Sequence, residues 1–332
     1  MRIKWTESKL KKLKELRQQR LTLQRIADYF GTTTDAVQKI NQKYPNMMGR
    51  YSTRLDSSKD AALLTYDGGC VLEKYNKFEV ISGDAMVIGD THIPFHDIDM
   101  MNKMIKIAKR DKITTLIVGG DLTDQKTTSI YPNLNTERVS RKLDDEFSVL
   151  FDVIKVLTKT FKQIVLICGD HDARILRRLD YVMNWKSLGA LCNRIIKVGN
   201  VRSSDYYYGI LKSGNQVWRI THPDRATARS TTKALKLAHK FDQNILQLHG
   251  HNFGMEFTVN AKYLAVSMGC MTDREHHEYV MIRDSAHSVW RKQFAKIQNG
   301  KITVFDKNGQ LTDWDKELGN SNGKKKNKRK KN

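Results

Sequence analysis

Five short segments, each closing an apolar run, carry Asp and His: Gly89-Asp90-Thr91-His92, Gly120-Asp121-Leu122-Thr123-Asp124, Gly169-Asp170-His171-Asp172, Thr221-His222 and Gly250-His251. The runs before them, Val87-Ile88, Thr115 to Val118, Ile164 to Ile167, Val217 to Ile220 and Ile245 to Leu248, read as buried strands. Loops that follow such strands converge on one sheet edge. Asp and His delivered there together form a donor set for a pair of divalent metal ions. Carboxylates bridge two cations, and neutral imidazoles complete their shells without adding charge.

The stretches between the strands carry helical patterns over 98–110 and 136–160, the βαβ rhythm of a layered α/β fold. A further helix is expected over Ala226 to Lys240. Beyond it, Phe257 to Val259, Tyr263 to Val266 and Val280 to Ile282 look like strands, and Gln298-Asn299-Gly300-Lys301 has the composition of a hairpin turn. These predict a second, antiparallel sheet.

The order and spacing of the five segments resemble the calcineurin-like metallophosphoesterase superfamily over about residues 80–306. The resemblance implies an α/β fold with two sheets layered between helices (αββα). It also implies a hydrolase that uses two divalent metal ions, with Mn²⁺ expected and Fe²⁺, Zn²⁺ or Ni²⁺ as alternatives. Carried over position by position, Asp90 and His92 bind the first metal, and Asp121 bridges to a second that also takes Asp170, His222 and His251. His171 matches the family histidine that stays off the metals and acts as general acid, and Asp124 matches the carboxylate that orients it. His249 is left as a supporting residue behind the ligands, while His96, His239, His276, His277 and His287 default to non-ligands.

Three positions depart from the family pattern. Asp170 stands where many members have Asn, adding a negative charge and removing an amide donor. The fifth segment reads Gly250-His251-Asn252-Phe253 where many relatives have Gly-His-x-His, so the first metal is expected to lose an imidazole. Gln125 follows Asp124 where the protein Ser/Thr phosphatases carry a phosphate-gripping Arg.

The net charge of +22 over 332 residues is concentrated at the ends. Residues 1–50 hold 12 Lys and Arg against four Asp and Glu, and the run from Lys324 to Lys331 adds seven positive charges. Such placement implies a polyanionic partner for a mildly basic body. Within the first 45 residues, Leu10, Leu13, Leu16, Ile26, Ala27 and Phe30 recur at helical spacing, Gly31 breaks the pattern, and Thr32 to Asp35 supply capping chemistry for a further helix. The segment resembles a Myb-like or resolvase-type helix-turn-helix domain, which makes Thr34, Gln38, Lys39 and Gln42 candidate DNA contacts. Lys324, Lys325, Lys326, Lys328, Arg329, Lys330 and Lys331 are candidate backbone contacts on a segment too charged to fold alone.

The expected organisation is therefore a helix-turn-helix domain at 1–45, a linker at 46–80, the metallophosphoesterase domain at 81–306 and a tail at 307–332. Four scattered cysteines, a charged N-terminus and the lack of a run of about 18 apolar residues point to a reducing cytoplasm with no membrane contact, and the economy of the layout suggests a bacterium or phage-infected host. The expected activity is hydrolysis of phosphodiester bonds in DNA or other nucleic acid, with an ATPase partner left open. The alternatives are a phosphatase acting on nucleotides, nucleic-acid ends or proteins, and a DNA-binding protein whose phosphoesterase body turns over weakly.

Overall fold

The computed structural model describes residues 5–18, 23–43, 78–129, 142–181, 183–224, 229–277, 280 and 290–319. The chain divides into two compact units, Met1–Tyr75 and Asn76–Asn332. In the first, α1 (Glu7–Gln18), α2 (Leu23–Phe30) and α3 (Thr34–Lys43) close around Leu13, Leu16, Ile26, Ala27 and Val37, with Trp5, Leu23, Phe30 and Ile40 packed on their rim. Gly31, at a φ of 61°, ends α2, and the Thr33 hydroxyl accepts from the Ala36 amide to start α3. On α3 Thr34 is half-buried and Gln38 and Lys39 are exposed. Gln42 lies in the last turn, and the candidate contacts from Lys324 to Lys331 lie outside the described residues.

The second unit is built on two six-stranded sheets. Its elements in chain order are β1 (Val80–Ser82), β2 (Ala85–Ile88), α4 (Ile98–Arg110), β3 (Thr115–Val118), α5 (Leu143–Leu157), β4 (Gln163–Ile167), α6 (Ala173–Arg178), α7 (Lys186–Ile196), β5 (Val201–Ser204), β6 (Tyr208–Ser213), β7 (Gln216–Thr221), α8 (Thr232–Phe241), β8 (Asn244–Gln247), β9 (Gly254–Phe257), β10 (Leu264–Ser267), β11 (Gln293–Gln298), β12 (Lys301–Asp306) and α9 (Trp314–Leu318). One sheet runs β12-β11-β2-β3-β4-β5, the other β1-β6-β7-β8-β10-β9.

Strand alternation assigns the layers. In β2, β3 and β4 the side chains Met86, Ile88, Leu116, Val118, Ile164 and Leu166 meet α4, α5 and α7. Their neighbours Val87, Ile117, Val165 and Ile167 face the second sheet at Leu211, Trp218, Ile220 and Leu246. Ala234 and Ala238 of α8 cover the outer side of the second sheet at Ile245 and Ala265. Both sheets are thus sandwiched between helices, which is the αββα layering.

The later strands pair differently from the sequence expectation. The second sheet is mixed: β7, β8 and β10 run parallel, and only β6 and β9 oppose their neighbours β7 and β10. The hairpin turn does form at Asn299 and Gly300, both at positive φ, but its strands β11 and β12 extend the first sheet through β2. Thr258 to Ala261 form a turn, so the strand expected over 257–259 ends at Phe257. Val280 is helical, and residues 281 and 282 lie outside the described residues. Among the described residues no helix is long and apolar enough to cross a membrane.

Asp97 pins the hairpin to α4. Its carboxylate caps the helix through the Met100 amide at 3.1 Å and pairs with Lys307 at 2.6 Å and Lys292 at 3.0 Å. Burial opposes ionisation, yet the two ammonium groups and the amide bring its pKa down to about 2 from an ordinary 3.8. Because the folded value lies below the unfolded one, this contribution is complete above about pH 4 and fades as pH falls toward 2. Asp97→Asn is expected to cost about 1–2 kcal/mol at pH 7 and to flatten the acid limb of the stability curve between pH 4 and 2. Urea melts across that range check it, and parallel acid limbs in the two proteins would refute it.

Candidate metal centre

The segments after β2, β3, β4, β7 and β8 come together at one edge of the two sheets. Asp90, His92, Asp121, His249 and His251 all hold positive φ, a conformation uncommon for non-glycine residues that persists where surrounding contacts over-determine it. Gly120 and Gly169 let the loops approach. A Cβ at Gly120, whose φ is 105°, would run into the His222 ring, and one at Gly169 into the backbone nitrogen and carboxylate of Asp121.

Three overlapping sets of side chains present donor atoms toward a common point: Asp90, His92 and His251; His92, Asp121 and His171; Asp121, His222 and His249. In the first set, His251 Nε2 stands 3.2 Å from Asp90 Oδ1 and 3.3 Å from His92 Nε2. In the third, His222 Nε2 lies 3.3 Å from Asp121 Oδ2 and 3.1 Å from His249 Nδ1. Asp170 is at the edge, its Oδ2 3.8 Å from His249 Nδ1 and its side chain 29% exposed.

Two pairs of imidazole nitrogens face each other closely, and the buried Asp90 Oδ1 accepts no hydrogen bond. Lone pairs so arranged repel unless a cation or proton lies among them, so the donor set fits two divalent ions. The charge balance has the same character. Burial alone would lower the His222 imidazole, but the Asp121, Asp90 and Asp170 carboxylates raise it to about 10.

The grouping corrects the sequence expectation at the fifth segment. His251 was expected beside Asp170 and His222; it joins Asp90 and His92 instead, and His249 takes the place beside Asp121 and His222. The backbone turns left-handed at both His249 and His251, with φ of 79° and 54°, so strand alternation does not carry past Leu248. The missing imidazole is therefore present: His249-Gly250-His251 is itself a His-x-His pair, two residues earlier than expected. The His249 amide also donates to Asp90 Oδ2 at 2.9 Å, tying this loop to the first.

Asp124 sits behind two imidazoles, with His92 Nδ1 and His171 Nδ1 each 3.1 Å from its Oδ1. Burial would raise this carboxyl, but the two rings hold it well below the usual carboxylate range. It thereby directs His92 Nε2 toward the first cluster. On His171, Nε2 accepts from Arg174 Nη2 at 2.8 Å. A guanidinium only donates, so the ring proton is on Nδ1, which reaches the Asp124 carbonyl at 2.9 Å as well as its carboxylate. Both nitrogens of His171 are thus engaged within the protein.

Sequence reading gave no supporting role to five residues, Asp172, Arg174, His277, Trp290 and Gln125. Asp172 is fully buried and accepts from the amides of Leu122, Thr123 and Gly169 and from the Thr123 hydroxyl, stitching the loop after β3 to the loop after β4. Burial and the neighbouring Asp121 raise it to about 7. Its place two residues after Asp170 was the available signal. Arg174 had none beyond its spacing from His171. His277 and Trp290 back the imidazoles, with Trp290 4.1 Å edge-on to His251 and His277 5.2 Å from the His92 ring. Gln125 is buried, bonding the Thr123 hydroxyl, the Asp172 carbonyl and the Ile175 amide, so it straps α6 to the loop after β3.

The family model of calcineurin-like phosphoesterases matches residues 85–279, which takes in all five segments and their strands. The chain belongs to the calcineurin-like phosphoesterase family. As a member of it, the protein is a metal-dependent phosphoesterase, a hydrolase acting on ester bonds. Among solved structures, this phosphoesterase is similar to Vps29 of Entamoeba histolytica, at 13% identity over 67% of this chain and 91% of that one, with a TM-score of 0.36. It is also similar to Vps29 of Chaetomium thermophilum (14% identity, 68% and 96% coverage, TM-score 0.37). The YfcE phosphoesterase of E. coli is a third (9% identity, 67% and 92%, TM-score 0.35). The comparison with curated proteins returns no match.

Proposed function

We propose that this phosphoesterase hydrolyses phosphodiester bonds of nucleic acid, DNA foremost, with its N-terminal helical unit and Lys-rich C-terminal run holding the polyanion. The observation that carries this reading is the placement of charge. Of a net +22, residues 1–50 contribute +8 and residues 324–331 contribute +7. A small phosphorylated metabolite needs no such flanks, whereas a phosphate backbone is held by them through counterion release. Gln38 and Lys39, exposed on α3, are the side chains we assign to the DNA surface, together with Thr34 and Gln42.

At the centre, Asp90, His92, Asp121 and His251 would hold one divalent ion and Asp121, Asp170, His222 and His249 the other, Mn²⁺ being our choice for both. Bound there, such ions neutralise phosphoryl charge and lower the pKa of water toward neutrality. In this reading His171 first takes up a second proton at Nε2, which burial opposes but the Asp121 and Asp124 carboxylates favour by raising its pKa. It then delivers that proton to the leaving oxygen, while Asp124 holds Nδ1–H and the ring in place. Asp172 holds the loops after β3 and β4 in register so that Asp121 and His171 keep their spacing.

A labelled single- and double-stranded DNA panel, with RNA and nucleoside monophosphates alongside, tests this in the presence of Mn²⁺. Internal cleavage is expected, and removal of residues 324–331 should weaken DNA binding by roughly tenfold or more at 150 mM salt and reduce its salt dependence. Release of terminal phosphate alone, with internal linkages untouched, would replace this reading with a phosphomonoesterase.

A further inference from the structure

We propose that Arg174 is the residue that grips the phosphoryl group of the substrate, and that its contact with His171 is a resting position it leaves when substrate arrives. The proposal rests on the reading of this edge as the phosphoesterase centre. Arg174 lies in the first turn of α6, immediately beyond Asp172, so its guanidinium reaches the same edge as the candidate ligands. One arm is anchored, Nη1 donating to the Asp124 carbonyl at 2.9 Å. The other, Nη2, donates at 2.8 Å to a ring nitrogen of His171.

These two contacts differ in kind. Arg178, on the same helix, spends Nε and Nη2 on the carbonyls of Thr128 and Ser129, a strap between α6 and the loop before it. The second arm of Arg174 instead ends on a neutral imidazole that belongs to the site itself. An anionic phosphoryl oxygen is the stronger acceptor, because it adds the attraction of opposite charges to a hydrogen bond in which only the donor was charged. Exchange of His171 Nε2 for a phosphoryl oxygen therefore favours the substrate-bound position while Nη1 keeps its carbonyl.

The polar side chains described around the centre include the carboxyl groups of Asp90, Asp121, Asp124, Asp170 and Asp172, and the Arg174 guanidinium is a cation already placed among them against Asp124 and His171. Gln125 is committed to Thr123, Asp172 and Ile175. With Nη1 kept on the Asp124 carbonyl, the half-buried guanidinium would turn its Nε–H and Nη2–H edge to one phosphoryl face, a planar match an ammonium lacks. Departure of Nη2 also uncovers the His171 Nε2 lone pair, which must take up a proton before it can donate to the leaving oxygen, so gripping the phosphate frees that atom for protonation.

Equilibrium dialysis of the full-length, Mn²⁺-loaded protein with inorganic phosphate tests this without turnover. Arg174→Ala should raise the phosphate Kd roughly 10- to 100-fold with metal content unchanged, and Arg174→Lys should recover part of the loss. A purely structural arginine would instead lower the melting temperature and leave phosphate affinity within about twofold, and that result overturns the proposal. Should Arg174→Ala unfold, Arg174→Gln, which keeps a donor within reach of the Asp124 carbonyl, carries the same comparison. Failure of the native chain to cut DNA would refute the nucleic-acid reading and leave this measurement standing, because phosphate binding is read directly.

Discussion

Asp121→Ala is expected to reduce phosphoester turnover by roughly three orders of magnitude, about 4 kcal/mol of transition-state stabilisation. Metal bound per chain should fall from two to at most one. Asp121 belongs to two of the three donor sets, and its Oδ1 also accepts from the His171 amide at 2.8 Å. Among the described donor sets it is the carboxylate that appears in more than one. Loss of it therefore removes a donor shared by two sets and the brace on His171 together. Metal analysis of the dialysed protein, beside turnover of a nitrophenyl phosphoester, checks the prediction. Turnover within tenfold of the native chain, or two metals still bound, would sink the bridging role.

His171→Gln should behave differently. Its ring lies 15% exposed between Asp124 and Arg174, and the role we propose for it is to protonate a leaving oxygen. Removal is expected to slow kcat by roughly 10²- to 10⁴-fold for an alkoxide leaving group. A nitrophenolate, which departs without a proton, should lose far less, and metal content should stay at the native level. Rates for the two leaving groups, compared in one variant, separate proton donation from a general disturbance. An equal loss for both would show that His171 does not supply the proton.

Much of the site was legible in the chain because its signals are local. Each ligand-bearing loop follows an apolar run, and burial alone makes such a run a strand. Asp90, His92, Asp121, Asp124, His171 and His222 were therefore located with their strands. The helix over 98–110 was equally plain from its apolar pattern, while its Asp97 cap was seen only in the structure. The later part of the chain was harder to read. The hairpin at Asn299-Gly300 was recognisable, but which sheet it joins depends on Ala295 meeting Val87 more than 200 residues away. Neither strand's own periodicity contains that pairing. β1, β5 and β6 and the helices α6 and α7 passed unnoticed, being short elements whose apolar patterns are broken by polar residues.

The sequence by itself determined the chemistry of this protein: oxygen and nitrogen donors in a set order after buried strands, glycines where those loops must crowd, and strong positive charge at both ends. Only the tertiary structure decided which donor meets which. His249 and His251 separate into different clusters because the backbone reverses its handedness at both, and a strand-based reading extends alternation past the point where the strand has ended. Arg174 reaches His171, and Gln125 turns inward to strap α6, through contacts across two loops that come close only when β3 and β4 lie side by side. Local burial selects the elements, but the assignment of partners is made by the non-local packing that brings five loops to one edge.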